Sequence, residues 1–300
     1  MLTGVHFLLT YTCTFECDHC FLHCSPRAQG TFTLSQVRQI LDQASDMGSI
    51  EWIYFEGGEP FLYYALMLES IRLARKRNFK VGIVTNAYWA TSVEDAELWL
   101  RPLCEHGIAD LSISDDDFHQ GEDSSNTARM AVEAAKNLGL PADSICIEKP
   151  VAVAPGDKDG KKGEPVVGGD VLFKGRAAEK LVEGLPRTAS EMFTECPHEE
   201  LVHPGRVHVD RYGHVQLCQG ISIGNLWEKP LKEILENYRP DNHPICGPLL
   251  EGGPVLLAKK YGIAHDISHV DACHLCYLTR KKLLDRFPRE LAPRQVYGLE

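Results

Sequence analysis

The chain has 300 residues, of which 44% are hydrophobic and 24% are charged, with a formal net charge of −11. This length suffices for one large domain or two smaller ones with a substantial core. An acidic balance without a long Lys/Arg run argues against a broad nucleic-acid-binding or anionic-membrane-binding surface. The basic residues between Arg72 and Arg77 are interpreted as a solvated helix face.

The first residues lack the basic segment and small-residue cleavage site of a signal peptide. No stretch approaches the roughly 18 apolar residues that crossing a bilayer requires. Without an export signal, the eleven cysteines are interpreted as reduced thiols available for metal rather than as disulfides. We therefore expect a cytoplasmic protein.

From residue 1 to about 150, strand and helix patterns alternate at the spacing of βα units. Short apolar runs predict buried strands at 5–10, 51–56, 80–85, 109–113 and 144–149. The first helix is the best defined, because Thr33 and Gln36 form a capping box and Gly48 supplies a stop. Further helices are predicted near 62–77, 93–105 and 124–138. Such units imply a parallel sheet, open or curled into a barrel, with ligands at the carboxyl ends of its strands.

Three cysteines follow the first strand at the spacing C-x3-C-x2-C, namely Cys13, Cys17 and Cys20, and Cys24 lies four residues further on. Thiolates on an irregular loop can point to one metal centre. A zinc site would use Cys24 as its fourth ligand. A ferredoxin-like carrier would match only Cys17, Cys20 and Cys24. The third alternative is an iron–sulfur cluster held by three cysteines, with one iron left open.

The loop from Cys13 to Cys20 resembles the signature loop of the radical S-adenosylmethionine (radical SAM) superfamily. The stretch Glu56-Gly-Gly-Glu-Pro60, after the second strand, is similar to that family's Gly-Gly-Glu-Pro motif. Its glycines would let the backbone approach the ligand, and its carboxylate and carbonyls would accept hydrogen bonds from the methionyl ammonium. The resemblance implies a partial (β/α)6 TIM-like barrel over residues 1–190. It also implies a 4Fe–4S cluster on Cys13, Cys17 and Cys20 whose open iron binds SAM.

The same resemblance assigns cofactor contacts to the strand ends: Gly57, Gly58, Glu59, Pro60, Asn86, Ser112, Ser114 and Asp115. The family more often has Asp where Ser114 stands, so Asp115 or Asp116 is an alternative ribose contact, and a solvated turn is another interpretation of this acidic run. Arg176 is expected either to bind the SAM carboxylate or to be a surface arginine. No catalytic residue is assigned.

Two stretches interrupt the βα rhythm. Residues 155–170 are rich in Gly, Pro, Lys and Asp, and predict an exposed insertion or a mobile loop. Residues 239–256 form a second Gly/Pro-rich region. We expect Cys246 to lie there in a loop, as an uninvolved thiol, a hydrogen-atom donor or an additional ligand. Cys104 and Cys146 are expected to be small core residues.

In the C-terminal third, two alternating stretches flank Tyr212-Gly213 and predict a hairpin that Cys218 leaves. A helix at 230–237 follows, and the pair Cys273 and Cys276 opens the last helix. This half resembles the SPASM extension, or its shortened Twitch form, through Cys196, Gly213, Cys218, Cys273 and Cys276. No cysteine follows Cys276.

That resemblance implies a Twitch-like domain over residues 191–300, with one auxiliary 4Fe–4S cluster on Cys196, Cys218, Cys273 and Cys276. A zinc site on the same four cysteines is the alternative, because C-x2-C pairs serve both metals. The chain would then hold two clusters and SAM.

Together the resemblances imply a radical SAM oxidoreductase or modifying enzyme, which cleaves SAM reductively and abstracts a hydrogen atom from its substrate through a 5′-deoxyadenosyl radical. We favour a maturase that modifies a peptide or protein; a small-molecule dehydrogenase is the alternative. From another class, a non-catalytic iron–sulfur or zinc protein would be an electron carrier or scaffold. The implied partners are a peptide or small-molecule substrate and a reductant such as flavodoxin or ferredoxin, with no nucleic acid and no membrane.

Overall fold

The computed structural model describes residues 1–120, 126–153 and 166–299. Its strands are β1 Gly4–Thr10, β2 Trp52–Gly57, β3 Lys80–Thr85, β4 Asp110–Ser114, β5 Asp143–Ile145, β6 Val151–Val153, β7 Val166–Gly168, β8 Thr188–Ala189, β9 Arg206–Asp210, β10 His214–Gln216, β11 Ser222–Asn225 and β12 Ser268–His269. Its α-helices are α1 Leu34–Met47, α2 Tyr64–Lys76, α3 Val93–Glu105, α4 Asp117–Gln120, α5 Thr127–Asn137, α6 Ala177–Lys180, α7 Leu231–Asn237, α8 Cys246–Tyr261 and α9 Ala272–Leu283. Short 3-10 helices cover Pro60–Tyr63, Ser190–Met192, Pro240–Asn242 and Arg294–Tyr297.

One large sheet organises the molecule, with the strand order β11-β10-β9-β1-β2-β3-β4-β5. Strands β1 to β5 are parallel to their neighbours, and β9 adds a sixth parallel strand on the other side of β1. The hairpin partners β10 and β11 continue the sheet in antiparallel fashion. The predicted mixed α/β fold with a mostly parallel sheet is confirmed, and its sixth parallel strand comes from the C-terminal third.

Most predicted elements of the N-terminal half are present, because their apolar periodicity matches what the fold buries. The prediction of a buried strand at 144–149 was wrong: β5 covers only Asp143–Ile145, and all three of its residues are exposed. Helix α1 begins after Thr33, whose hydroxyl accepts from the backbone of Gln36 while the Gln36 side chain accepts from the backbone of Thr33. It ends at Gly48, which has φ of +68°. The hairpin around Gly213 and the helices at 231–237 and 272–283 are also where the sequence predicts them.

The inner face of the sheet is polar and aromatic near the beginning of its strands. His6 on β1 pairs in register with Tyr54 on β2 and with His208 on β9. The His6 and Tyr54 rings stack with centroids 4.6 Å apart. A Cβ at Gly82 on β3 would lie 2.2 Å from the Tyr54 ring. Glycine is therefore required at this position, because the Tyr54 ring lies against the backbone of β3.

The region 239–256 differs from its prediction, because most of it is helical. Helix α8 covers Cys246–Tyr261 with a break at Gly252 and Gly253, where the backbone leaves helical angles. Pro248 lies in the first turn of the first segment and Pro254 opens the second, two positions where the missing N–H of proline costs nothing. Cys246 therefore begins a helix rather than lying in a loop.

The predicted insertion at 155–170 is described only in part, since residues 154–165 lie outside the described residues. Strands β6 and β7, on either side of that gap, pair antiparallel. The domain boundary at residue 190 stays a prediction, although β9, β10 and β11 extend the sheet that the N-terminal half begins. Within the described residues, every helix is too short or too polar to cross a bilayer.

Candidate functional site

A cavity of about 370 Å³ lies at the carboxyl ends of the parallel strands, where the sequence predicts ligands. It is lined by all four cysteines of the N-terminal loop, by the ends of β2, β3 and β4, and by the segment 170–172. The lining residues predicted to bind cluster or cofactor are Cys13, Cys17, Cys20, Gly57, Gly58, Asn86 and Ser114. Five strand ends or loops thus converge on one space.

The cysteine loop is fixed by Arg176, which is only 7% exposed. Its backbone N–H donates to the carbonyl of Cys20 at 3.0 Å. Its guanidinium donates to the carbonyl of Cys17 at 2.9 Å and to that of Cys24 at 2.6 Å. The expectation of a surface arginine was wrong: Arg176 is buried and holds the loop that carries the thiols, and its remaining donor, Nη1, lies 3.7 Å from the Glu16 carboxylate.

The thiols of the loop differ in acidity. Burial raises the pKa of Cys13 to about 11 and that of Cys17 still further. The pKa of Cys20 is lowered to about 6, chiefly because its sulfur accepts a hydrogen bond from the Cys24 thiol. Burial and this same bond raise the pKa of Cys24 well above its ordinary value.

The spacing of the sulfurs bears on the zinc alternative. With Zn–S bonds of about 2.3 Å, tetrahedral coordination places sulfurs about 3.8 Å apart. Across residues 1–120, 126–153 and 166–299, no three cysteine sulfurs all lie within 4.8 Å of one another. The four loop cysteines line a common cavity, and no three of their sulfurs lie as close together as a single tetrahedral zinc ion requires.

The two glycines after β2 are required by packing against the start of the cysteine loop. A Cβ at Gly57, which has φ of +124°, would lie 2.6 Å from the carbonyl oxygen of Thr10. One at Gly58 would lie 2.1 Å from that of Thr12. The Gly58 N–H donates to Thr10 at 2.7 Å. The end of β2 is therefore clamped against the loop, and both glycines line the cavity.

Glu59 is fully buried and lies in the wall behind the cavity. Its carboxylate accepts hydrogen bonds from the backbone N–H of Phe61 at 3.0 Å, the Thr85 hydroxyl at 2.9 Å and the backbone N–H of Asn86 at 2.8 Å. Burial nevertheless raises its pKa to about 7. Glu59 thus joins the end of β2 to the end of β3, and its predicted contact with a methionyl ammonium stays a prediction.

Replacing Glu59 with alanine is expected to destabilise the fold by about 3 kcal/mol or more, because three buried donors would lose their acceptor at once. Urea unfolding followed by circular dichroism measures this change. Glu51→Ala is the matched control, because that carboxylate is exposed and pairs with Lys80 at the surface. Equal stability of the two variants would show that Glu59 does not join the strands.

The remaining predicted cofactor contacts divide into two groups. Asn86 and Ser114 line the cavity, and the Asn86 amide donates to Cys13 Sγ at 3.4 Å and to the Thr14 hydroxyl. Three others lie outside the lining: Pro60 begins the 3-10 helix, Ser112 donates to Asp110, and Asp115 accepts from the Asn126 amide.

In the acidic run after β4, it is Asp116 that lines the cavity. Asp116 accepts from the His119 ring at 2.8 Å, and this bond lowers its pKa against the effect of burial. His19, which precedes Cys20, packs edge-on against His119 with centroids 5.1 Å apart. The sequence names Asp116 only as an alternative, and nothing in its spacing singles out His119.

The four cysteines predicted for an auxiliary centre are brought together. Cys196, Cys218, Cys273 and Cys276 line a second, smaller cavity with Lys174 and Arg280. Cys218 follows β10, and Cys273 and Cys276 lie one turn apart in α9. Residues separated by 80 positions in sequence thus meet as the resemblance implies.

Two buried cations flank this second group of thiols. Lys174 is 5% exposed, and its ammonium lies 3.8 Å from Cys218 Sγ and 2.8 Å from the Gln219 amide oxygen. Burial alone would lower the pKa of Lys174, but the negative charges of Cys218 and Glu199 raise it above its ordinary value. Arg280 is 1% exposed, and its Nε is buried without a hydrogen-bond partner. Buried positive charge suits four thiolates around an anionic cluster, so the residues present fit such a group.

A fifth cysteine approaches the same place. Cys246 is fully buried and hydrogen-bonds to the Tyr238 hydroxyl, and burial raises its pKa to about 12. Of the other cysteines, Cys104 packs against the core with its thiol 3.5 Å from the Leu138 carbonyl. The prediction of a core position for Cys146 was wrong, since it is exposed just beyond the short strand β5.

The sequence profile of the Radical SAM superfamily matches residues 7–148. Among curated proteins, YydG of Bacillus subtilis (strain 168), whose name gives peptide biosynthesis as an assumed role, is 24% identical over 107 residues, which are 36% of this chain and 34% of YydG. An S-adenosylmethionine-dependent nucleotide dehydratase of Selenomonas ruminantium is 32% identical over 86 residues, which are 29% of this chain and 30% of that protein. These matches span about a third of the relatives' length.

Among solved structures, BtrN in complex with AdoMet and 2-DOIA has a similar fold, with a TM-score of 0.53 and 16% sequence identity. The likeness covers 79% of this chain and 83% of the BtrN chain. The likeness therefore covers more of the chain than residues 7–148 alone. At this identity the likeness is one of fold.

Proposed function

Because this chain carries a radical SAM superfamily domain over residues 7–148, we propose that it is an enzyme that cleaves S-adenosylmethionine reductively and abstracts a hydrogen atom from a peptide or protein substrate. The observation that carries the proposal is the convergence of Cys13, Cys17 and Cys20 on one cavity at the carboxyl ends of the strands. Cys24 also lines that cavity and is proposed not to be a cluster ligand.

When bound, a reduced 4Fe–4S cluster supplies the electron that breaks the S–C5′ bond of SAM. The chain's own residues bind and orient. Arg176 holds the cysteine loop, and Glu59 fixes the ends of β2 and β3 beside it. The backbone of Gly57 and Gly58, with Asn86 and Ser114, lines the side where we place the polar groups of SAM. Ile147 and Val171 also line the cavity, and their apolar side chains limit access of water to the reacting carbon.

The second group of thiols is proposed to hold an auxiliary 4Fe–4S cluster in a Twitch-like domain over residues 191–300. Its support is the four convergent cysteines and the two buried cations beside them, Lys174 and Arg280. Electrons for the N-terminal cluster would come from a small reductant such as flavodoxin or ferredoxin. Product electrons would leave through the auxiliary centre.

Peptide modification is preferred for the substrate because YydG is named for peptide biosynthesis. A small-molecule substrate is the second candidate, favoured by the nucleotide dehydratase, which has the higher identity over its matched segment. The two candidates are separated by tracing the abstracted hydrogen atom. The enzyme is incubated with SAM and either deuterated peptides or deuterated small metabolites from the source cells. Mass spectrometry of 5′-deoxyadenosine then shows which of the two fractions supplied the deuterium.

The test of the activity itself uses anaerobically reconstituted protein. We expect about eight irons per chain, as two four-iron clusters, and formation of 5′-deoxyadenosine from SAM with dithionite as reductant. Zinc in place of iron, or eight irons without cleavage, would instead assign the chain to the electron carriers or scaffolds.

Cys24 provides a sharp check on the N-terminal centre. Cys24→Ala is expected to keep about eight irons and to retain cleavage, because Cys13, Cys17 and Cys20 suffice as ligands of the proposed cluster. Cys24→Ser, which keeps a polar group of similar size, is the matched control. Loss of about four irons from Cys24→Ala would make Cys24 a fourth ligand, close the cluster to SAM and contradict the proposed chemistry.

A further inference from the structure

Two histidines meet a glutamate that lines the cavity, outside the groups assigned so far. His6 lies on β1, Glu56 on β2 and His208 on β9, three strands that are adjacent in the sheet. His6 Nδ1 is 3.3 Å from Glu56 Oε2, and His208 Nε2 is 3.2 Å from Glu56 Oε1. One ligand atom from each residue lies within 4.8 Å of the other two.

The contact between His6 and Glu56 is short but does not have the geometry of a hydrogen bond. His6 Nδ1 is buried and has no hydrogen-bond partner, although a carboxylate oxygen lies beside it. The ring is held in that orientation by stacking on Tyr54 at 4.6 Å and by edge contact with His208 at 5.2 Å. A nitrogen that points toward a carboxylate without a hydrogen bond to it can bind the same metal ion as that carboxylate.

The two nitrogen–oxygen separations, each to a different oxygen of Glu56, fall within the range found between ligands of one metal ion. Metal–nitrogen and metal–oxygen bonds of about 2.0–2.2 Å place neighbouring ligand atoms about 3.0–3.6 Å apart. Two imidazoles and one carboxylate are the ligand set of catalytic zinc sites and of mononuclear iron(II) sites, which keep further positions open.

The other His and carboxylate groups are less suited. In the group of His19, Asp116 and His119, Asp116 already accepts hydrogen bonds from the His119 ring and from the backbone N–H groups of Phe118, His119 and Ile147. The group of His198, Asp271 and Cys273 shares a cysteine with the proposed auxiliary centre.

We propose that His6, Glu56 and His208 bind a divalent first-row transition-metal ion at the floor of the cavity. Glu56 also lines the cavity, so the remaining coordination positions face the space where a substrate would lie. An oxygen or nitrogen of the substrate, or a water molecule, would occupy them. This site does not depend on the cleavage of SAM.

The test is cobalt(II) binding to the holoenzyme after anaerobic reconstitution, when the cysteine sites are filled. Oxidised 4Fe–4S clusters are diamagnetic, so the EPR spectrum of high-spin cobalt(II) is observed without interference. Equilibrium dialysis followed by elemental analysis is expected to give one cobalt per chain for the wild type. Glu56→Gln and His208→Gln are each expected to weaken binding more than about tenfold.

His119→Gln is the matched control, since it removes an imidazole from the neighbouring group and should retain wild-type cobalt affinity. Iron content and circular dichroism confirm that each variant is folded, and His6→Gln replaces any variant that is not. Absence of stoichiometric cobalt in the wild type overturns the proposal. So does loss of cobalt from His119→Gln with retention in Glu56→Gln. Cobalt stoichiometry and affinity are measured without SAM, so their outcome is independent of the test of SAM cleavage.

Discussion

Replacing Cys17 with alanine is expected to remove about four irons per chain and to abolish cleavage of SAM, because two of the loop thiols cannot hold the proposed cluster. Cys276→Ala is also expected to lose about four irons but to retain measurable cleavage, since its sulfur belongs to the second group of thiols. Iron content after reconstitution and the rate of 5′-deoxyadenosine formation measure the two effects.

Cys104→Ala is the control for these variants. Its thiol packs between α3 and the end of α5, far from both groups in sequence and absent from the lining of both cavities. It should keep about eight irons and full cleavage. If Cys17→Ala and Cys276→Ala lost cleavage equally, the division between a SAM-binding centre and an auxiliary centre would be wrong.

Much of the N-terminal half was predictable because its signals are local. The capping box at Thr33, the C-x3-C-x2-C spacing and the two glycines after β2 each depend on neighbours within a few residues. Local patterns also located β1 to β4 within a residue or two. The Gly/Pro content of residues 239–256 wrongly suggested a loop, because the backbone break at Gly252 and Gly253 lets helical segments form on either side of it.

The rest of the site depends on contacts between distant parts of the chain. His208 joins His6 and Glu56 only because β9 pairs with β1, a pairing across about two hundred residues that no local pattern specifies. Nothing in the sequence singles out Lys174 or Arg280, yet both are buried beside thiols. Their role follows from charge compensation, which is visible only once the burial is known.

The segment around Gly175 connects the two groups of thiols. Lys174 reaches Cys218 and Gln219 of the second group, and its ammonium also lies 5.2 Å from the ring of Phe21, which lines the first cavity. Gly175 has φ of +61°, and a Cβ there would lie 2.3 Å from the Cα of Phe21. One short turn thus sits against the N-terminal cysteine loop and contacts the second thiol group through its lysine.

Arg176→Met is expected to loosen the cysteine loop while leaving the second group of thiols intact. Its guanidinium supplies two buried hydrogen bonds to the carbonyls of Cys17 and Cys24, and hydrogen bonds from charged donors contribute about 1.5–3 kcal/mol each. Methionine keeps the length and the apolar packing of the side chain but no donor. We expect iron to fall from about eight to about four per chain, with cleavage of SAM falling in proportion.

Arg187→Met is the matched control, because that arginine is partly exposed and pairs with Asp266 at 3.7 Å. It should keep its iron and its cleavage activity. Arg176→Lys separates charge from shape: a single ammonium cannot donate along both guanidinium directions, so only partial rescue is expected. Full iron content in Arg176→Met would mean that the turns of the cysteine loop hold its thiols in place without the arginine. Full rescue by Arg176→Lys would mean that the site requires a positive charge beside the thiols rather than the pair of hydrogen bonds.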